Sequence, residues 1–112
     1  MAGDHARGAT LYVTLEPCAH QGRTPPCAEA LIEAGVRRVV IGARDPTAKP
    51  GTKGFEALGT AGVTVSTGVL GQECESMVED FVKHSTTGRP FVTLKAAVTL
   101  DGKIATRSGD SR

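Results

Sequence analysis

The reactive side chains of this sequence gather in one stretch, Glu16-Pro-Cys-Ala-His-Gln-Gly-Arg-Thr-Pro-Pro-Cys27. Its two cysteines, Cys18 and Cys27, are separated by eight residues. Two thiolates can supply half of a tetrahedral zinc site. A catalytic site needs a third protein ligand if water is to hold the fourth position. A pair of buried, inert cysteines is the competing reading, and the Pro-Cys and Pro-Pro-Cys settings favour metal. The histidines available as a third ligand are His5, His20 and His84. His20 follows Cys18 by two residues, in a loop that could instead face a ligand. His5-Ala-Arg7 mimics a His-x-Glu pair, but an arginine stays charged and cannot shuttle a proton at neutral pH. Metal-assisted hydrolysis also needs a carboxylate beside the water as general acid and base. Glu16 is close to Cys18 in sequence, although the alternation of its strand does not give its direction. No complete catalytic set is found.

The surrounding elements say how this stretch would be presented. Thr10-Leu-Tyr-Val-Thr-Leu15 is rich in β-branched and aromatic residues and reads as a strand. Cys18 therefore falls just beyond a strand's C-terminal end, where ligands gather in open parallel sheets. Thr24 as a cap, Pro25-Pro26 in the first turn and Gly35 as a stop bound a helix over about 25–34. That puts Cys27 at a helix start, where the dipole is expected to lower a thiol pKa. Arg38-Val-Val-Ile-Gly42 is a nearly all-apolar strand, expected to be buried on both faces. A loop from Asp45 leads to a weak helix near 53–61, a strand at 63–66 and a helical spacing over 73–83. The β-α-β-α-β-α order predicts three parallel strands with helices packed on them. Ser85-Thr-Thr-Gly-Arg-Pro90 breaks the composition, and Phe91 to Val98 reads as a further strand before a turn at Asp101-Gly102. Residues 91–112 read as the start of a second domain.

Composition bounds the function classes. The chain has 112 residues, 39% hydrophobic and 22% charged, with a formal net charge of +1. This is a globular composition, and its charge balance argues against binding nucleic acid through phosphates. With no Trp, one Tyr and three Phe, a base-stacking platform is not expected either. No apolar run is long enough to span a bilayer, and the start lacks the apolar core of a secretory signal. Three cysteines without an export signal point to a cytoplasmic location, where cysteine pairs bind metal or do chemistry more often than they form disulfides. Elsewhere, Cys74 reads as an ordinary helical residue and His84 as a helix end near the dipole's negative pole. Lys49-Pro-Gly-Thr-Lys-Gly54 lacks the phosphate-loop order and reads as a loop.

Two motifs carry a resemblance. Thr14-Leu-Glu-Pro-Cys-Ala-His-Gln-Gly-Arg-Thr-Pro-Pro-Cys27 resembles the zinc signature of the bifunctional riboflavin-biosynthesis deaminase–reductases. Leu94-Lys-Ala-Ala-Val-Thr-Leu-Asp-Gly-Lys-Ile-Ala105, with Ser108-Gly-Asp-Ser-Arg112, resembles the opening of their reductase domain. Deaminases that act on nucleic acids carry Pro-Cys-x-x-Cys instead.

The resemblance implies an α/β fold. Residues 1–86 would be the C-terminal part of a three-layer, cytidine-deaminase-like domain with a parallel sheet lacking its first strands. Residues 87–112 would open a dihydrofolate-reductase-like domain with its first strand. It implies zinc-dependent hydrolysis of the ring amine of a diamino-ribosylaminopyrimidinone phosphate, then reduction of the ribosyl group with NADPH. Cys18 and Cys27 match two of three zinc ligands. His20, Arg23 and Asp45 match substrate-binding positions in the deaminase, and Ser111 one in the reductase. Ala97 and Lys95 match cofactor-binding positions, and Thr99 and Asp101 match further positions of the motif. The complete protein would be a homo-oligomer.

The departures set further expectations. The family's His-Ala-Glu, which supplies the third ligand and the proton-shuttling carboxylate, should lie further upstream than the seventeen residues before Cys18 allow. After Asp45-Pro46 the family tends to have Asn-Pro, where this chain has Thr47-Ala48. The strand at 10–15, interior in the family sheet, should become an exposed apolar edge. The expectation is a fragment, cut at both ends and inactive alone. The alternatives are a non-enzymatic zinc or thiol module and a pseudoenzyme scaffold.

Overall fold

The structure, a computed structural model, describes residues 2–111. A single 3-10 turn at Gly3–Ala6 precedes strand β1, Thr10–Leu15. Helix α1 follows at Cys27–Glu33, then β2 at Arg38–Ala43, α2 at Gly54–Thr60 and β3 at Thr64–Thr67. Two short helices, α3 at Gly71–Met77 and α4 at Glu79–Thr87, complete the regular elements among the described residues. The strands are parallel in the order β1-β2-β3. Tyr12 faces Val40 and Ile41 faces Thr67 across the two ladders.

The sheet is built around β2. Every residue from Val39 to Ala43 is buried, as the unbroken apolar run predicts. Val39 and Ile41 share a cluster with Ala28 of α1, Leu58 of α2, Val36 and Val63. Side chains alternate along a strand, so Val40 and Gly42 face the other way, towards Leu70 and Cys74 of the α3 region. Helices therefore cover the sheet on both faces. β1 lies at the sheet's outer edge, with Tyr12 71% exposed.

Four local expectations need correction. Thr24 does not cap α1: Pro26 occupies the cap position with an extended backbone and no side-chain cap bond exists. Cys27 is the first helical residue, so Thr24 lies too far upstream, and Cys18 serves the helix start instead, as described below. The spacing over 73–83 is not one helix. The chain breaks at Val78, whose φ of −123° interrupts the helical run. The helix expected near 53–61 is one residue shorter at each end, and the strand expected at 63–66 is shifted by one residue, to 64–67.

The fourth correction is Phe91 to Val98, which forms no strand. No chain segment among the described residues pairs with it, and an unpaired strand has no ladder to satisfy its backbone. The turn at Asp101-Gly102 is present: Gly102 N–H donates to Thr99 O at 2.9 Å and Thr99 N–H to Lys103 O at 2.9 Å. The same pattern recurs seven residues on, where Gly109 N–H donates to Thr106 O and Thr106 N–H to Asp110 O, both at 2.9 Å. Gly102 and Gly109 have φ of 76° and 85°, the left-handed position that a three-residue hairpin loop requires. Both are hairpin turns without paired strands.

Candidate metal centre

The three residues after β1 each fasten a different neighbour. Glu16 N–H donates to Ala43 O at 2.9 Å, carrying the β1–β2 ladder one step past Leu15. The Glu16 side chain is buried. Its Oε2 accepts from Asp45 N–H at 3.3 Å and its Oε1 from Phe55 N–H at 3.2 Å. Pro17 is buried too, and its carbonyl lies where a Cβ on Gly54 would stand. Only glycine lets the start of α2 come this close. Cys18 then holds the start of α1: its carbonyl accepts from Ala28 N–H at 3.0 Å, and its Sγ from Cys27 N–H at 3.3 Å. The cysteine thus does the capping that Thr24 does not, satisfying two of the helix's orphan donors.

Cys18 is half-buried, Cys27 is exposed, and both are free thiols. The Cys27 thiol is pushed above its ordinary range, first by its hydrogen bond to the Cys18 side chain, then by burial and by the Cys18 charge. The lowering expected from the helix N-terminus does not prevail. A seven-residue helix offers a weak dipole, while a second thiol lies alongside. Two adjacent thiols sharing a proton are a donor set suited to a soft or borderline divalent cation, which would displace that proton.

The other candidates fall in three places. Asp45 shares an open cleft of about 560 Å³ with Cys18, Cys27 and Glu16, walled by Leu11, Val13, Leu15 and Leu31. Its Oδ1 accepts from Thr47 N–H at 2.8 Å and from the Thr47 hydroxyl at 2.6 Å. His20 and Arg23 are exposed on the loop between the cysteines. Lys95, Ala97 and Ser111 are exposed in the C-terminal segment, and none lines the cysteine cleft. His5 precedes β1, so a six-residue strand, about 20 Å of chain, separates it from Cys18. Among the described residues no third His, Cys, Asp or Glu joins the two cysteines in a metal-binding group.

Sequence reasoning missed Arg44, and it considered Glu16 as the carboxylate near Cys18 without giving its direction. Glu16 is not poised for proton transfer to a water, because both its oxygens are engaged by backbone donors. Arg44 stacks on Phe55, with 4.1 Å from guanidinium carbon to ring centroid. A second cleft of about 480 Å³ lies between Arg44, α3, α4 and Phe91. No cysteine or histidine lines it.

Residues 1–43 match the family model of the cytidine and deoxycytidylate deaminase zinc-binding region. The chain is 52% identical to the riboflavin biosynthesis protein RibD of Aquifex aeolicus, over 99% of this chain and 31% of the relative. It is 49% identical to RibD of Escherichia coli, over 100% of this chain and 30% of that protein. A solved structure from Thermotoga maritima is described as a diaminohydroxyphosphoribosylaminopyrimidine deaminase/5-amino-6-(5-phosphoribosylamino)uracil reductase. It superposes with a TM-score of 0.75 at 52% identity, covering 95% of this chain and 30% of that one. RibD of Acinetobacter baumannii gives a TM-score of 0.74 at 47% identity, covering 99% of this chain and 31% of that one. The chain thus spans about a third of the length of the relatives it matches. Among the described residues no helix is long and apolar enough to cross a membrane. With its two thiols at a strand end and a helix start, a parallel sheet between helices and these likenesses over nearly its whole length, the chain matches about a third of a RibD protein, the part that includes a cytidine-deaminase-like zinc-binding region.

Proposed function

We propose that this chain contributes the two-cysteine half of a zinc centre and its substrate loops to a deaminase acting on a pyrimidine ribosyl phosphate. The observation that carries this is the pairing of Cys18 and Cys27, with Cys27 N–H 3.3 Å from Cys18 Sγ at the mouth of the cleft. Cys18 and Cys27 would hold the zinc, which when bound supplies a water of lowered pKa. Asp45, on the cleft wall, would bind the pyrimidine, with His20 and Arg23 contributing from the exposed loop. Arg23 is suited to the phosphate, because a guanidinium presents paired donors to such an anion.

Residues 1–86 would form the deaminase part and residues 87–112 would open an NADPH-dependent reductase. There Ala97 and Lys95 would meet the cofactor and Ser111 the substrate. The complete protein would be cytoplasmic and homo-oligomeric. The chain alone would bind zinc weakly and would not deaminate, because two thiolates leave the ion under-coordinated and Glu16 is engaged elsewhere.

Cobalt(II) titration tests the ligand assignment, since thiolate coordination gives a charge-transfer band. Wild type and Cys74→Ser should show the band, while Cys18→Ser and Cys27→Ser should lose it. A band that survives in Cys18→Ser or Cys27→Ser overturns the assignment.

A further inference from the structure

Glu16 is a buried carboxylate, 5% exposed, in the position directly before Pro17-Cys18. A buried charge is costly unless it is hydrogen-bonded. Here each oxygen accepts one backbone N–H, from Asp45 at 3.3 Å and from Phe55 at 3.2 Å. The donors belong to two different segments, the loop after β2 and the first turn of α2. Next along the chain, Pro17 packs its carbonyl onto Gly54, the residue before Phe55. Cys18 is therefore fixed from behind by α2 and in front by α1. Asp45, the other polar wall of the cleft, is held by its own N–H to the same carboxylate. One side chain thus bears on both the thiol and the acid that line the cleft.

The geometry points to Glu16 as the positioning residue of this centre, fixing the Cys18 loop and the Asp45 loop relative to one another so that metal and substrate are held in register. This rests on the proposed zinc role of Cys18 and Cys27 and adds to it a group that touches neither metal nor substrate. Neighbours of this kind, which orient ligands, typically change metal affinity about 10–100-fold when altered.

The test uses the full chain, cobalt(II) as probe and far-UV circular dichroism to score the fold. Glu16→Gln keeps the shape but turns an amide N–H₂ towards one of the two N–H donors. It should stay folded and bind cobalt about 10–100-fold more weakly, with an altered charge-transfer band. Val63→Ala, which thins the core away from residues 16–18, should lower stability and leave cobalt affinity of the folded protein unchanged. Should Glu16→Gln not fold, Glu16→Asp carries the test. It keeps the charge but is one methylene too short to reach both donors, and an equivalent loss is expected. Wild-type affinity and band in a folded Glu16 variant overturn the inference, as does failure of both variants to fold, which would make the role one of folding alone. If wild type itself gives no thiolate band, the zinc reading falls with it; if wild type binds and Glu16→Gln matches it, only this inference falls.

Discussion

At the scale of single residues, the Cys27 thiol carries a pH signature whose sign follows from its surroundings. Its hydrogen bond to Cys18, with burial behind it, favours the neutral form and raises the folded-state pKa. The resulting stabilisation is fully present below the ordinary thiol pKa, about 8.5. It is lost as pH rises through the raised folded value. Cys27 is exposed, so water screens much of the effect. Metal uptake runs the other way, because thiolates are the ligands and protons must leave. The metal-free chain should show a lower urea midpoint at about pH 9.5 than at about pH 7, a difference that Cys27→Ser removes. Cobalt affinity should rise over the same window.

Gly54 offers a second residue-level prediction. Alanine normally favours a helix over glycine by about 1 kcal/mol. Here the new methyl would meet the Pro17 carbonyl, so Gly54→Ala should destabilise by about 1–3 kcal/mol in urea melts. The cysteine pair was legible in the sequence because its prolines and flanking patterns place one thiol at a strand end and one at a helix start. The role of Glu16 was not, because its donors lie 29 and 39 residues further along the chain. Nothing local to residue 16 announces them.

Among elements, β2 is the one on which the fold turns. Ile41 is fully buried between β1, β3 and the helices. Ile41→Ala should therefore cost about 2–5 kcal/mol. Val92 is 79% exposed in the segment expected to be a strand, and Val92→Ala should stay within about 0.5 kcal/mol. Parallel denaturant melts of the two variants check both values. The contrast also explains what sequence could reveal at this scale. The unbroken apolar run of β2 reports its own burial on two faces. The run at 91–98 has equal β-character, yet a strand is a property of a pair, and its partner is not written in its own residues. The break at Val78 is similarly hidden, since apolar spacing continues through it into α4. The change of capping group at α1 depends on Cys18 arriving from β1, which composition around Thr24 does not reveal.

At the scale of the whole molecule, the described chain is long for its size. Its radius of gyration is 20.1 Å and its extents are 66 × 32 × 27 Å, whereas a compact domain of this length has about 13 Å. The excess comes from the segment after α4. Its hairpin turns at Thr99 and Thr106 bond within themselves; Lys83 lies over the Phe91 ring at 5.4 Å, and Arg89 N–H donates to the Thr87 hydroxyl of α4 at 3.2 Å. An exposed cation–π contact is worth about 0.5–1 kcal/mol. The segment therefore adds length without adding much stability to the sheet. Removing the residues from Arg89 onwards should bring the radius of gyration from X-ray scattering towards about 12 Å. The urea midpoint should stay nearly constant. A truncated chain that loses several kcal/mol would show that the segment packs on the sheet, through the cleft between Arg44, α4 and Phe91. The boundary between the cysteine-bearing unit and the residues that follow would then lie beyond Arg89, and α4 would belong to both.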